Sequence, residues 1–216
     1  MTAVKFLFTI IFFPLIAGIL RFKDLSRGMK WLFYFVAWGS ITETTVMVDK
    51  SVLTIFPNSM PIGHLYIALS LFFAGMFYLH ALKGFVNSKT IWIILIIFEI
   101  FALVNVIFIQ SPENYPSVSG SVSALILVVF SVLLFAKIMI EGKIKNLIQE
   151  PVVWINSAIL LYYTSSFFYH ILFNILIDKS YEFLSLASDF YKLFNVIFYT
   201  LIGIGFLKAK PSKKLN

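Results

Sequence analysis

The twenty residues at positions 90–109, TIWIILIIFEIFALVNVIFI, decide the fold class of this chain. They contain one ionisable side chain, Glu99, and a helix of this length spans about 30 Å, the thickness of the hydrocarbon core of a bilayer. The rest of the 216-residue chain has the same character, since 60% of its residues are hydrophobic and only 12% are charged. Soluble domains carry roughly 25% charged residues. The composition therefore predicts an all-α integral membrane protein.

Six further apolar stretches predict helices of the same kind, giving a bundle of seven transmembrane helices. The predicted spans are 5–20, 31–53, 62–82, 90–109, 118–140, 152–177 and 190–207. They form one predicted transmembrane domain, 1–207, followed by a short basic tail, 208–216. Because the connections are short, we expect any signalling output to be carried by a separate protein.

Lysine and arginine are distributed unequally between the two sides of these spans. Thirteen lie near the connections that follow the odd-numbered spans or in the tail, and four lie on the other side. Cytoplasmic connections of membrane proteins are enriched in these residues. We therefore expect the N-terminus outside and the C-terminus inside, in a multi-pass protein of the bacterial inner membrane. The first span is expected to be a retained helix, because its basic residues follow the apolar run, opposite to a signal peptide.

The residues present exclude several chemistries. The chain has no cysteine, which excludes disulfides, thiol catalysis and cysteine-ligated metals, and it has no Walker A, HExxH, GxSxG or GxGxxG motif. The basic residues lie between apolar runs, so the expected partner is the lipid bilayer and not a nucleic acid. The last span has no central lysine for a retinal Schiff base. We expect no cofactor, no bound metal and no catalytic residue.

Two glutamates lie near the middle of predicted spans, where an ionisable group costs roughly 2.5–3.5 kcal/mol. Glu43 is surrounded by serine and threonine, whereas Glu99 lies among isoleucine and phenylalanine. Hydrogen bonding to a neighbouring helix explains either glutamate. A proton or ligand site is a second explanation, and it favours Glu43.

Polar stripes on the sixth and seventh spans predict helix faces that avoid lipid. The sixth span carries four polar residues spaced by seven, seven and four, Asn156, Tyr163, His170 and Asn174. In the seventh span, Ser188, Lys192, Asn195 and Tyr199 share a face. Such stripes face the bundle interior or a wet cavity. Interhelical hydrogen bonds and a cavity account for them equally well.

We hypothesise that Glu43, His170, Asn174 and Asn195 line one cavity reached from outside, beneath a vestibule of acidic, basic and histidine side chains. The candidate ligand-binding residues are Glu43, Asp49, His64, Asn156, Tyr163, His170, Asn174, Lys192, Asn195 and Tyr199. Histidine changes charge between about pH 5 and 8, so this cavity is expected to sense external pH or to hold an anionic group. Phe168 and Phe198 are expected to face lipid.

The stretch EPVVWINSAILLYYTSSFF, residues 150–168, resembles a family of small seven-helix membrane proteins common in Bacteroidota. That family carries a Pro-x-Phe/Val-Trp-Ile-Asn-Ser-Gly pattern followed by a tyrosine-rich sixth helix. The region of Glu43, the loop 114–117 and the final helix are also similar, and the chain departs from the pattern at Ala158, where glycine is frequent. By position, the resemblance implicates Glu43, Trp154, Asn156, Ser157 and Tyr163. Its members occur alone or as membrane regions of sensor histidine kinases, which implies sensing or signalling.

Three functional classes follow from these observations. The leading one is a receptor-like sensory or signalling module without its own output domain, working with a separate signalling protein on the cytoplasmic side. The alternative is a small-solute transporter with three-plus-one-plus-three helix topology, although spans one to three and five to seven show no convincing internal match. An intramembrane hydrolase is least favoured, because His64, His80 and His170 are not placed to converge.

Overall fold

The computed structural model describes residues 10–49, 58–176 and 181–210, and in this part the chain forms seven α-helices. They are α1 (Phe12–Leu20), α2 (Arg27–Val48), α3 (Met60–Ala81), α4 (Ser88–Val104), α5 (Ser117–Glu141), α6 (Pro151–Leu176) and α7 (Tyr181–Leu207). A π-helical turn, Asn105–Ile109, extends α4, and a 3₁₀ turn, Leu147–Gln149, precedes α6. The described ranges contain no β-strand, so the all-α prediction is confirmed.

Within the described residues, four helical stretches are long and apolar enough to cross a membrane. They are Met60–Ala81, Ser88–Ile109, Ser117–Glu141 and Ser185–Leu207. Helices α2 and α6 are comparable in length, with 22 and 26 residues, but carry more polar side chains. Parts of three predicted spans lie outside the described residues. They are residues 5–9 of the first span, residues 50–53 of the second and residue 177 of the sixth.

Local sequence signals place several helix ends. Ser26 Oγ accepts a hydrogen bond from the Met29 amide, and Asn87 Oδ1 accepts one from the Lys89 amide, which caps the first turns of α2 and α4. Helix α5 ends at Gly142, whose φ of 56° is the left-handed conformation that terminates many helices. At these three helix ends, the predicted and observed boundaries differ by at most four residues.

Helix α7 begins nine residues before the predicted span 190–207, so that boundary was wrong. Its first turns are polar, and a prediction based on apolar runs misses them. Glu182 lies in the first turn, where a carboxylate interacts favourably with the helix dipole. Lys192 Nζ lies 2.7 Å from Asp189 Oδ1 one turn away, a pairing that supports the helix at its polar start.

Six helices pack in a ring around a common core, and α4 lies outside that ring. Helix α1 packs on α2, α2 on α3, α3 on α5, α5 on α6, α6 on α7, and α7 on α1. Helix α4 packs on α3 and touches α5 less extensively. Its outer side chains, such as Ile93, Ile97 and Ile100, are more than half exposed. This is the surface expected of a helix that faces lipid.

The ring has two chemically different ends. The first, which we call the basic end, carries the connections 21–26, 82–87 and 142–150 together with 208–210. There, the Arg21 guanidinium donates to the Ala209 carbonyl at 3.0 Å, and Lys137 Nζ donates to the carbonyls of Ala81 and Lys83 at 2.8 Å. Cations therefore satisfy carbonyls at the carboxyl ends of α7 and α3. The opposite end, which we call the cavity end, carries residues 58–59 and the loop 110–116.

Candidate functional site

A cavity of about 280 Å³ lies at the cavity end, among α2, α3, α5, α6 and α7. Among the described lining residues, one side chain carries a carboxyl group, Glu43 on α2, and one an imidazole, His170 on α6. The remaining polar lining is made of hydroxyl groups from serine, threonine and tyrosine. Five tyrosines line it: Tyr66, Tyr115, Tyr162, Tyr163 and Tyr191. The structure therefore brings three of the ten predicted site residues, Glu43, Tyr163 and His170, to one cavity.

Tyrosine hydroxyls surround the acidic side of the cavity. The Glu43 carboxylate lies within electrostatic range of the hydroxyls of Tyr66 on α3 and of Tyr191 and Tyr199 on α7. Thr42, beside Glu43, donates its hydroxyl to carbonyls one turn back in α2, so it is satisfied within its own helix. The Glu43 carboxylate therefore interacts electrostatically with phenol groups of α3 and α7.

The loop 110–116 closes over one side of the cavity because side chains of α3 and its N-terminal flank hold it. Asn58 Nδ2 donates to the Glu113 carbonyl at 2.9 Å. His64 Nε2 contacts the Asn114 carbonyl at 3.1 Å, a distance at which the ring N–H donates to that oxygen. His64 therefore fixes the loop and does not line the cavity, contrary to its prediction as a ligand-binding residue.

Tyr115 reaches His170 from this loop. Gln110 Nε2 donates to the Tyr115 carbonyl at 2.8 Å, and the Tyr115 ring stacks on Phe173 with centroids 4.1 Å apart. The Tyr115 hydroxyl lies 2.8 Å from His170 Nδ1. Burial raises the pKa of the Tyr115 phenol, so the hydroxyl keeps its proton. A protonated phenol can donate or accept a hydrogen bond, and we assign it as the donor to Nδ1. In this arrangement the imidazole of His170 is neutral.

His170 is seated against a glycine of α5. A Cβ atom at Gly120 would lie 2.7 Å from Cε1 of the imidazole and 2.8 Å from both ring nitrogens. Any side chain at position 120 would therefore displace the ring from its place beside Tyr115. Gly63, which also lines the cavity, differs in this respect, because its Cβ would meet only Pro116 at 3.5 Å.

Two buried serines of the lining have hydroxyls without a hydrogen bond to any described residue. Ser70 is 3% exposed and Ser166 is 1% exposed. The Ser70 hydroxyl interacts with that of Tyr66 and the Ser166 hydroxyl with that of Tyr191, in each case without the close geometry of a full hydrogen bond. An unsatisfied buried polar group costs about 1–3 kcal/mol. A cavity with two such groups is suited to a polar occupant.

Aromatic rings form the floor of the cavity. Tyr162 stacks on Phe198 with centroids 4.5 Å apart, and Phe198 packs edge to face against Phe35 at 5.8 Å. Phe198 is 1% exposed, so the prediction that it faces lipid was wrong, whereas Phe168 is 58% exposed as predicted. Phe198 is buried because α7 turns this face toward α2 and α6.

A hydrogen-bonded layer lies below that floor, centred on Asn156. The Tyr78 hydroxyl donates to Asn156 Oδ1 at 2.8 Å, and Asn156 Nδ2 donates to the Ser131 carbonyl at 2.9 Å. The Ser131 hydroxyl donates in turn to the Asn156 carbonyl at 3.1 Å. All three residues are fully buried. Asn156 therefore joins α3, α5 and α6 below the cavity and does not line it.

The other predicted site residues lie elsewhere. Asp49 is buried on a different face of α2, at a groove lined by α1 and α2. Lys192 pairs with Asp189 on an exposed surface. Tyr199 lies below Tyr66, with its hydroxyl near Gly39, and Asn195 lies outside the lining, its Oδ1 without a hydrogen bond to a described residue. The side chain of Asn174 lies outside the described residues.

Sequence reasoning missed most of the tyrosines, and one available signal pointed to them. The chain has 25 phenylalanines but only 10 tyrosines. Three of the five tyrosines in α3 and α6 line the cavity, namely Tyr66, Tyr162 and Tyr163. A phenol in an otherwise phenylalanine-rich span needs a polar partner, so this placement indicates a polar interior. Tyr115 lies in a loop, and no helical spacing predicts where a loop residue reaches.

Comparison with known proteins leaves the family open. No protein-family model, no curated protein and no solved structure matches the chain. The resemblance carried by residues 150–168 therefore stays a prediction, and the geometry of the cavity is the basis for any statement about function.

Proposed function

We propose that the chain is a seven-span, receptor-like membrane protein that takes a small ligand from outside into the Glu43–His170 cavity. The observation that carries this proposal is the cavity at the end opposite the basic end, with a packed aromatic floor beneath it. The positive-inside rule assigns the basic end to the cytoplasm and the cavity end to the outside of the inner membrane. On this proposal α1, α2 and α6 complete the seven spans.

The layers below the cavity suit a receptor that responds to its ligand without passing it. The Phe198 floor joins α7 to α6, and the Asn156 layer joins α3, α5 and α6. Both lie between the cavity and the inner halves of the helices that line it. A ligand that shifts α6 or α7 would therefore move their inner ends. The ligand would cause this movement by binding one arrangement of the helices more tightly than the other. A separate cytoplasmic protein would bind to the arrangement that the ligand favours.

One observation favours transport as a second candidate. With α4 outside, the ring consists of two groups of three helices, α1–α3 and α5–α7. Within each group, consecutive helices pack together, and the last helix of each group packs on the first helix of the other. Transporters built from two parallel repeats have this arrangement. A hydrolase has weaker support, because among the described residues no three histidine, aspartate or glutamate side chains are grouped as metal ligands.

Access to Ser166 distinguishes the two candidates. In the cysteine-free chain, Ser166→Cys places a thiol in the cavity lining. A receptor-like protein is expected to react with a membrane-impermeant maleimide in spheroplasts and to stay unlabelled in inside-out vesicles. A transporter that alternates between two open states would react from both sides.

The matched controls are Ser131→Cys in the buried layer and Phe168→Cys on the lipid-facing surface. Both are expected to remain unlabelled from either side. Reaction of Ser166→Cys from the inner side alone would contradict the proposed orientation. Reaction from neither side would contradict an accessible cavity.

A further inference from the structure

Helix α4 is the least covered of the four stretches that are long and apolar enough to cross a membrane. In the most apolar part of Ser88–Ile109, 22% of the residues are buried, compared with 33% to 44% in the other three stretches. One face of the helix is packed against the chain, and it carries the buried side chains of Ile91, Leu95 and Phe98. A second helix therefore has room to pack on the outer side of α4.

Glu99 lies at the edge of this packed face, near the middle of the stretch. It is half-buried, and its Oε1 atom is buried without a hydrogen bond to any described residue. None of the ion pairs among the described residues includes it. A neighbouring helix was one explanation for this glutamate, and in the described part of the chain no helix supplies that partner. Lipid suits the exposed isoleucines of α4, but it offers a carboxyl group no hydrogen bond.

Glu99 is also the polar member of a stripe that is otherwise apolar and exposed. Trp92, Ile96 and Leu103 lie seven and three residues before it and four residues after it, so all four share one side of α4. The three apolar side chains are 39%, 54% and 60% exposed. Spacings of four, three and four are typical of the seam between two long helices that wind around each other. A single polar residue in such a seam fixes the register of the two helices.

A second copy of this chain carries a partner for Glu99 at the correct depth. Copies in one membrane have the same orientation, so a two-fold axis along the membrane normal places each residue level with its counterpart. A protonated carboxyl group both donates and accepts, so two carboxyl groups can bond to each other without a further group. A different protein would have to carry a matching polar residue at this depth, whereas a second copy carries it necessarily.

We infer that α4 is the contact between two copies of this chain, with the Glu99 carboxyl groups paired across a two-fold axis in the middle of the membrane. This contact goes beyond the ligand-binding role proposed above. The stripe lies on α4, outside the ring, and its four residues do not line the cavity. Pairing of two copies through α4 therefore leaves both cavities accessible and their basic ends on the same side of the membrane.

Disulfide cross-linking in native membranes tests the contact, because the chain has no cysteine of its own. Leu103→Cys places a thiol on the stripe, and Ile97→Cys places one about 120° away around α4. The two positions are matched in exposure, at 60% and 61%. On oxidation with copper phenanthroline, Leu103→Cys is expected to form about fivefold or more disulfide-linked dimer than Ile97→Cys, because a disulfide requires Cα atoms within about 7 Å.

Two substitutions at position 99 test the carboxyl pair. Glu99→Leu is expected to lower the cross-linked fraction of Leu103→Cys by about fivefold or more, because it removes the polar contact and leaves side chains that lipid solvates equally well. Glu99→Gln is expected to retain most of the cross-linking, since two amides can also pair through hydrogen bonds. Thermal unfolding of each variant checks that the fold is intact. If Glu99→Leu folds poorly, the comparison of positions 97 and 103 in the unmodified background still tests the contact.

Three results would overturn the inference. Equal cross-linking at positions 97 and 103 would indicate random collision, and no cross-linking at position 103 would leave a different protein as the partner of Glu99. Cross-linking at position 103 that Glu99→Leu does not change would reject the carboxyl pair. Each of these leaves the proposed function intact, because reaction of Ser166→Cys with maleimide reports on the cavity and not on α4.

Discussion

Asn156→Leu is expected to reduce the stability of the folded protein by about 2–4 kcal/mol, one of the two largest effects we predict. Leucine is close to asparagine in size, so the change removes hydrogen bonds with little change in packing volume. It leaves the Tyr78 hydroxyl and the Ser131 carbonyl buried without the partners they have at 2.8 Å and 2.9 Å. An unsatisfied buried hydroxyl costs about 1–3 kcal/mol, and the Ser131 carbonyl loses its second donor while keeping its bond within α5. Thermal unfolding in detergent measures the loss.

A double variant separates this cause from a general disturbance of α6. Tyr78→Phe removes the hydroxyl that Asn156→Leu leaves unsatisfied, so the combination is expected to be more stable than the sum of the two changes predicts. Additive losses, or an Asn156→Leu protein as stable as the unmodified chain, would contradict the hydrogen-bonded layer. Hydrogen bonds between membrane helices contribute only about 0.6 kcal/mol on average. A stability loss of this size in Asn156→Leu would mean that the Tyr78 hydroxyl bonds to water or to another partner in the variant.

Gly120→Ala is expected to have the second large effect, at the wall of the cavity. The added methyl group meets the His170 ring at 2.7–2.8 Å, so the ring must leave its place beside Tyr115. Overpacking of this kind costs about 1–3 kcal/mol, against a gain of up to about 1 kcal/mol from the better helix propensity of alanine. A net loss of thermal stability and a changed rate of maleimide reaction at Ser166→Cys are the measurements.

The control for Gly120→Ala is another glycine of the same lining. Gly63→Ala is expected to be neutral or slightly stabilising, because its methyl group makes only an ordinary contact with Pro116 at 3.5 Å. Adding His170→Ala to Gly120→Ala removes the clash and is expected to recover part of the lost stability. A Gly120→Ala protein that behaves like Gly63→Ala would contradict the position assigned to His170.

The fold class was predictable because bilayer thickness imposes a simple rule on sequence. A helix as apolar as Ser88–Ile109 has few alternatives to crossing a membrane. The beginning of α7 was not predictable in this way, because Glu182 and Asp189 make its first turns polar. Hydropathy measures how apolar a stretch is and not whether its backbone is helical, so it does not detect these turns.

The candidate site was predictable only in part, because helical spacing indicates a face but not the partner of each residue along it. Asn156, Tyr163 and His170 share a face of α6, yet Asn156 bonds within the core while the other two line the cavity. The depth at which α6 meets α3 and α5 decides between these roles. The position of Tyr115 depends on the loop that Asn58 and His64 hold. These two residues contact loop residues 55 and 50 positions away in sequence, which local spacing does not predict.

The proposed function requires the cavity end to lie outside and the basic end inside, and single cysteines on the two ends test this orientation directly. Glu113→Cys lies on an exposed loop of the cavity end, and Lys145→Cys lies on an exposed connection of the basic end. In spheroplasts, an impermeant maleimide is expected to label position 113 at once and position 145 only after the membrane has been permeabilised. Labelling of position 145 in sealed spheroplasts, with position 113 protected, would contradict the account.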